Sequence, residues 1–446
     1  MIVGAGVCGM TLGYRLAESG YDVRIVEKQA ETGGLARTYR YGDFMFDSGP
    51  HRFFSANPEV NRFLKEILQE GLQTAPMRSA VYFLGKYYDW PLGPRTLFRL
   101  PLKTSLSVFR DFLGSAFRKE NQAPRNFKDY ILQKYGATLY RLDFGPYTEK
   151  FTKLPNTLIH PDWAKAGINR AVIQEDIKMN TLGEIIRTSL RPKPAVSIFY
   201  PRRGISEFHS RLEERIIGRG GKIWTKREVG SLSLENGKIK EVRIQPDGTS
   251  ERVDRVVWTG PIHEITALLN MKRSDLSYLN IVIFNISLKG EPRSDYQWIY
   301  YVDREVLFNR LYNTVKFSEG SAPRGYYGLC VEVTCHEGDE VWENPASYYP
   351  AVRETLKGVA LIDSQDEVVA VRHERLDKAY PIYKTNYRQE LKENLERLSQ
   401  VENLILAGRT GLFWYNNMDH SIENAFRVAE GIVQGKRASE IIEFWN

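Results

Sequence analysis

The stretch Met1-Ile2-Val3-Gly4-Ala5-Gly6-Val7-Cys8-Gly9-Met10-Thr11-Leu12, continuing through Leu16-Ala17 to Val23-Arg24-Ile25-Val26-Glu27, decides the fold. Gly4, Gly6 and Gly9 form G-x-G-x-x-G behind a short apolar strand, and Leu12, Leu16 and Ala17 share one face of the helix that follows. Gly20 is placed to end that helix, and a second strand, Val23 to Val26, runs into Glu27, 18 residues after Gly9. Gly4 permits the tight turn, Gly6 lets the backbone approach a pyrophosphate, and Gly9 lets the helix pack on the strand. The helix N-terminus offers unpaired N–H groups and a positive dipole end to phosphates. Glu27 is placed to accept hydrogen bonds from a ribose hydroxyl. Strand, helix, strand and acid in register predict a dinucleotide site on a Rossmann-type α/β fold. Only Met1, Ile2 and Val3 precede Gly4, which is short for such a strand, so the expectation is a clipped strand or a few native residues ahead of it.

The next segment narrows the cofactor. Gly33-Gly34-Leu35-Ala36-Arg37-Thr38 follows Glu27 closely. A Gly-Gly pair beside an arginine suits a second backbone approach to one long, permanently held cofactor, which favours FAD; a hairpin turn with a surface arginine is the alternative. Further on, Ser48-Gly49-Pro50-His51-Arg52-Phe53-Phe54 places a histidine directly after a turn, where it is positioned rather than mobile. Asn57-Pro58 then opens a helix with Val60, Phe63, Leu64 and Ile67 on one face.

Reading outward, the chain divides into five segments. Residues 1–75 form a first FAD-binding part, and 76–195, rich in Tyr, Phe, Arg and Lys, read as a mostly helical cap. Residues 196–280 form a second FAD-binding part, with hairpin signals at Asn236-Gly237 and Asp247-Gly248. Residues 281–375 read as an antiparallel substrate-binding sheet, and 376–446 as a third FAD-binding part opening on the buried strand Leu404-Ile405-Leu406. Taken with the resemblance set out below, the expected architecture is a Rossmann-type FAD-binding domain with a helical cap and an antiparallel-sheet substrate domain interleaved in it.

Composition sets the outer bounds. The 446 residues are 42% hydrophobic and 26% charged, which excludes a mostly disordered chain. The net charge of +7 permits an acidic substrate or a membrane surface without demanding nucleic acid. Three cysteines, one inside the glycine turn, argue against a disulfide framework, and no Cys/His cluster has metal-ligand spacing. No run approaches the ~18 apolar residues that span a bilayer, and the opening lacks the features of a signal peptide, so a cytoplasmic protein is expected. Between 95 and 118, Leu97, Leu100, Leu102, Leu106, Phe109, Phe112 and Leu113 interleave with Arg95, Arg99, Lys103, Arg110 and Arg118. That pattern fits either a helical cap with a solvated basic face or a peripheral contact with an anionic membrane.

These residues together resemble the FAD-dependent superfamily of amine oxidases, protoporphyrinogen oxidases and UDP-galactopyranose mutases, nearest its mutase-like oxidoreductases. The resemblance rests on GAGVCG with Glu27, GGLART, SGPHRFF, PYTEK (146–150), FYPRRGISEF (199–208) and AGRTGLFWYNNMDHSIENA (407–425). It implies that Gly4, Gly6, Gly9 and Glu27 hold the adenosine diphosphate of FAD and that Gly33, Gly34 and Arg37 form the second FAD loop. It implies that His51 sits against the flavin ring, and that Gly408, Arg409, Met418 and Asp419 reach the flavin and its ribityl chain. Arg310, Arg409 and Tyr415 correspond to groups that surround a substrate diphosphate, for which two guanidinium groups and a phenol are chemically suited. Salt bridges to core or FAD groups are the alternative for the two arginines, and packing beside Trp414 for Tyr415. Arg170 is a weaker match to a mobile-loop arginine. Phe151 and Asn417 depart from the mutase pattern, which carries tryptophan and aspartate there, so the galactose substrate is not carried over.

The implied activity is flavin-dependent oxidation of an activated or lipid-linked sugar or related small molecule by hydride transfer. The alternative is a non-redox, UDP-galactopyranose mutase-like reaction in which reduced FAD attacks a nucleotide sugar. A membrane-surface protein without catalysis is a third reading of the 95–118 stretch.

Overall fold

The computed structural model describes residues 1–91, 99–116, 123–169 and 197–441, together with Thr96. Its centre is a five-stranded parallel sheet in the order Leu404–Leu406, Val256–Trp258, Ile2–Val3, Arg24–Val26, Lys222–Trp224. Ile2 pairs with Val257 on one side and Ile25 on the other, so the opening strand, two residues long, is the middle of the sheet. The strands are short apolar runs because both faces are covered, as parallel sheets require. The helices Val7–Glu18, Ser206–Ile217 and Met418–Val433 cover one face through Leu12, Leu212 and Ile422. The antiparallel strands Glu228–Glu235, Lys238–Gln245 and Thr249–Arg252 lie on the other, through Ile239, Val242 and Ile244. As expected from Asn-Gly, Asn236 and Gly237 both take positive φ (49° and 75°) to close that hairpin.

A seven-stranded sheet forms the second layer. Its order is Val368–Ile382, Ser277–Lys289, Tyr326–Cys335, Arg310–Asn313, Trp298–Tyr301, Ser79–Phe83, Lys86–Trp90. Period-two alternation sorts its side chains. Ile299, Leu311 and Val331 pack under the helix Pro345–Gly358, whereas Trp298, Tyr312 and Cys330 face the other way, into one core with Phe46. Arg310 and Glu332 are register partners on adjacent strands of that inward face.

Two expected boundaries are corrected. Ser277–Lys289 runs unbroken across 280, and Val368–Ile382 across 375, because each is a single long strand of the large sheet. The 76–195 segment is likewise not uniformly helical: Ser79–Phe83 and Lys86–Trp90 extend the sheet before the cap helices Leu102–Ala116 and Phe127–Leu139 begin. The chain is α/β, and its dinucleotide layer is assembled from the start, middle and end of the sequence.

Candidate active site

The site is one continuous cavity of about 1460 Å³ running from the glycine loops to the inward face of the large sheet. At the first end two loops are pressed together. Gly33 N–H donates to Ala5 O at 2.8 Å, and Gly6 and Gly33 bridge as in a parallel sheet. Gly34 has φ +58°, and a Cβ there would sit 3.1 Å from Gly6 Cα, so side chains are excluded on both conformational and steric grounds. The helix Val7–Glu18 begins here with no side chain capping it, leaving its first N–H groups toward the cavity. Glu27 is buried; its Oε2 accepts from Ala5 N and its Oε1 from Gln29 N, both at 2.8 Å. Each carboxylate oxygen keeps further acceptor capacity.

The opposite wall is built from the C-terminal motif. Gly408 N–H donates to Asn424 Oδ1 at 2.8 Å, and the helix Met418–Val433 starts at the cavity, capped by Asn417 and His420. Met418, Asp419, His420 and Ser421 line the wall. Asn417, the departure from the mutase pattern, is thus the helix N-cap, a position asparagine and aspartate fill equally well. Arg37 lines the second loop with its Nε 3.0 Å from Tyr39 Oη.

Deeper in, the cavity is cationic and aromatic. Arg310 is not free: its Nε lies 3.0 Å from both oxygens of buried Glu332, and its Nη2 lies 2.7 Å from Oε2. Burial opposes the Arg310 charge, but Glu332 with Tyr380 and Tyr300 holds its pKa well above the ordinary arginine value. Arg409 donates to Ala379 O and Asn416 O, and its guanidinium carbon lies 4.8 Å from the Tyr380 ring and 4.7 Å from the Tyr415 ring, two rings that meet each other edge-on. Phe151, the other departure, touches this aromatic wall edge-on, 4.9 Å from Tyr380. His51 sits among the arginines. Burial, then Arg310, Arg409 and Arg52, pull its pKa down to about 3, against the pull of Leu35 backbone, so the imidazole is neutral at physiological pH.

Of the residues singled out in the sequence, Gly4, Gly6, Glu27, Gly33, Gly34, Arg37, His51, Arg310, Gly408, Arg409, Tyr415, Met418 and Asp419 all line this cavity. Gly9 does not; it lies behind the loop, where its missing Cβ makes room for Gly4 O. Arg170 lies outside the described residues. Tyr380 and Arg52 line the cavity without having been singled out. Arg52 was legible as His51's neighbour in the same turn; Tyr380, within a long strand, carried no local signal. PYTEK does not face the cavity through its lysine. Lys150 Nζ instead donates to the carbonyls of Asp303, Val306 and Phe308 at 3.0 to 3.1 Å, locking the helix Gly145–Thr152 to the loop after Trp298–Tyr301.

The features fit a long dinucleotide: an uncapped helix start for a diphosphate, an acceptor carboxylate for a ribose, and side-chain-free loops for close backbone approach. Among the described residues no group of three or more His, Cys, Asp or Glu is arranged to hold a metal.

The profile of the flavin containing amine oxidoreductase family matches residues 7–442. Over 281 residues the chain is 24% identical to a 4,4'-diapophytoene desaturase (4,4'-diapolycopene-forming) of Methylomonas sp, covering 58% of this chain and 52% of that protein. Over 154 residues it is 28% identical to a probable UDP-galactopyranose mutase of Klebsiella pneumoniae, covering 34% of this chain and 40% of that protein. The chain thus spans about half the length of these curated relatives, or less. Among solved structures, a reduced UDP-galactopyranose mutase superposes with a TM-score of 0.83 at 20% identity, over 97% of this chain and 95% of that one. A putrescine oxidase variant superposes with a TM-score of 0.66 at 14% identity, over 98% of each chain. At these identities the superpositions describe a shared fold.

Proposed function

The chain belongs to the flavin containing amine oxidoreductase family, and from that premise we propose that this FAD-dependent enzyme oxidises an anionic, activated sugar, lipid-linked sugars included. The observation that carries the reading is the cavity itself, which joins the dinucleotide-type glycine loops to a chamber where three guanidinium groups, of Arg52, Arg310 and Arg409, meet Glu332, paired with Arg310, and Asp419 in the wall. A half-buried excess of positive charge favours the entry of an anion.

Bound against these loops, FAD supplies either an acceptor for a substrate hydride or, once reduced, a nucleophile toward a sugar's anomeric carbon. The residues do the rest. The helix start at Val7 and the Glu27 carboxylate hold the adenosine diphosphate end. Gly33, Gly34, Arg37 and the start of the Met418 helix surround the remainder. His51, neutral, donates or accepts one hydrogen bond without adding a charge. Tyr380 and Tyr415 hold the Arg409 guanidinium by cation–π contact.

Anaerobic mixing of the purified holoenzyme with nucleotide sugars and polyprenyl-phosphate sugars is expected to bleach the flavin absorbance with at least one of them. Failure to bleach with any, while dithionite-reduced enzyme alone yields a ring-contracted sugar, would replace this reading with the non-redox one. That second reading is favoured by the stretch shared with the probable UDP-galactopyranose mutase.

The cap helix Leu102–Ala116 supports a membrane contact suited to a lipid-linked substrate. Leu102 and Leu106 are 75% and 61% exposed, and Phe109 is 44% exposed on the same face. Lys103 and Arg110 flank them, whereas Asp111 is turned inward to accept from Thr138 N at 2.6 Å. An exposed apolar ridge with basic flanks suits an anionic bilayer surface. The enzyme is expected to sediment with phosphatidylglycerol vesicles and not with phosphatidylcholine vesicles, and Leu106→Ser/Phe109→Ser to lose that binding. Wild-type protein left in the supernatant with both vesicles would remove the contact.

A further inference from the structure

The three arginines of the chamber are not equivalent. Arg310 is saturated on its Nε edge by Glu332, so it cannot also present that edge to a substrate. Arg409 makes its described hydrogen bonds to backbone carbonyls only. Arg52 is the least compensated. Its Nη1 makes one long contact, 3.4 Å, to Pro50 O, and its Nε is buried without a hydrogen-bond partner. Its guanidinium carbon lies over the Trp298 ring, 4.2 Å from the ring centroid. Among the described residues no carboxylate pairs with it; Asp419 acts on it only at longer range and contacts His420 at 3.4 Å.

A guanidinium resting on an aromatic face has already lost part of its freedom, so it loses less entropy when its N–H fork takes two oxygens of a carboxylate or phosphate. Leaving a buried donor unmade costs free energy that a ligand acceptor recovers. Arg52 also lines the cavity next to His51, at the junction between the loops and the large sheet. We propose that Arg52 is a specificity-determining residue that receives an oxyanion of the substrate, a phosphate or carboxylate oxygen, and that Arg52 and Arg409, not Arg310, clamp the substrate's charge. Arg310 then acts as a fixed positive wall held by Glu332. The inference rests on reading the chamber as the substrate site.

The test is calorimetric titration of flavin-loaded wild type, Arg52→Gln and Arg52→Lys at low salt with two probes. Inorganic diphosphate represents the phosphate source and D-glucuronate the carboxylate source. Flavin content is recorded first. Wild type is expected to bind at least one probe, and Arg52→Gln to weaken that probe about 10- to 100-fold, the size of a lost hydrogen bond to a charged group. Arg52→Lys should fall in between, since it keeps the charge and loses the stacked fork. The probe that responds names the oxyanion. Equal affinity in wild type and Arg52→Gln, no binding of either probe to wild type, or an Arg52→Gln protein purified without flavin would each overturn the proposal, the last by assigning Arg52 to the cofactor. Arg52-dependent binding without flavin bleaching by any sugar would instead count against the redox reading alone.

Discussion

Alanine at position 9 is expected to give a protein that neither retains flavin nor folds stably. A Cβ on Gly9 would lie 2.0 Å from Gly4 O and 3.1 Å from Gly4 C, and both are backbone atoms. The first helix would have to lift off the opening strand, and the loop between them is the one that faces Gly33. Overpacking of this kind costs roughly 1–3 kcal/mol, and more where backbone must move. Here the displaced backbone also carries the N–H groups offered to the cofactor, so cofactor linkage is lost with it. The matched control is Gly114→Ala in the cap helix, where nothing lies within 4 Å of the added Cβ. There, replacing glycine inside a helix should stabilise by about 0.5–1 kcal/mol. Flavin absorbance and thermal melting of the two variants check both halves: a yellow, wild-type-like Gly9→Ala protein would contradict the account of the turn.

The second large effect belongs to Glu332. It is 2% exposed and forms the only carboxylate contact to Arg310 among the described residues. Glu332→Ala leaves a half-buried guanidinium without its carboxylate beside two further arginines, and removing one partner of a buried pair costs up to about 3–5 kcal/mol. Removing both charges is a different operation. Arg310→Met/Glu332→Leu replaces the pair with apolar groups of similar size, which is often near neutral. The single variant is therefore expected to melt well below wild type and the double variant close to it, measured by denaturant unfolding of the flavin-loaded protein. A double variant as unstable as the single one would mean that Glu332 is held for packing and not for its charge.

What was legible in the sequence follows from how local each signal is. The glycine turn, its helix and Glu27 lie within one contiguous segment, so spacing alone placed them, and Asn236-Gly237 announced its hairpin in the same way. The helix opened by Asn57-Pro58 was readable for the same reason, since the Asn57 side chain accepts from Glu59 N as an N-cap should. The pairing of Arg310 with Glu332 was not readable, because it depends on the register between two strands 22 residues apart. The strand Ser79–Phe83 was missed because it pairs with Trp298–Tyr301, more than 200 residues away. Tyr380 and Trp298 became relevant only once folding laid them under Arg409 and Arg52.

The central claim is that one cavity holds FAD against the glycine loops with a cationic substrate chamber beyond it. Its most direct measurement is the absorbance spectrum of the protein as purified, with its extracted cofactor identified, before and after titration with UDP. The account predicts a yellow protein carrying about one FAD per chain, whose flavin bands shift saturably as UDP enters the chamber. A protein that binds no FAD under any loading condition, or a flavin spectrum that UDP leaves unchanged at saturating concentration, would contradict it.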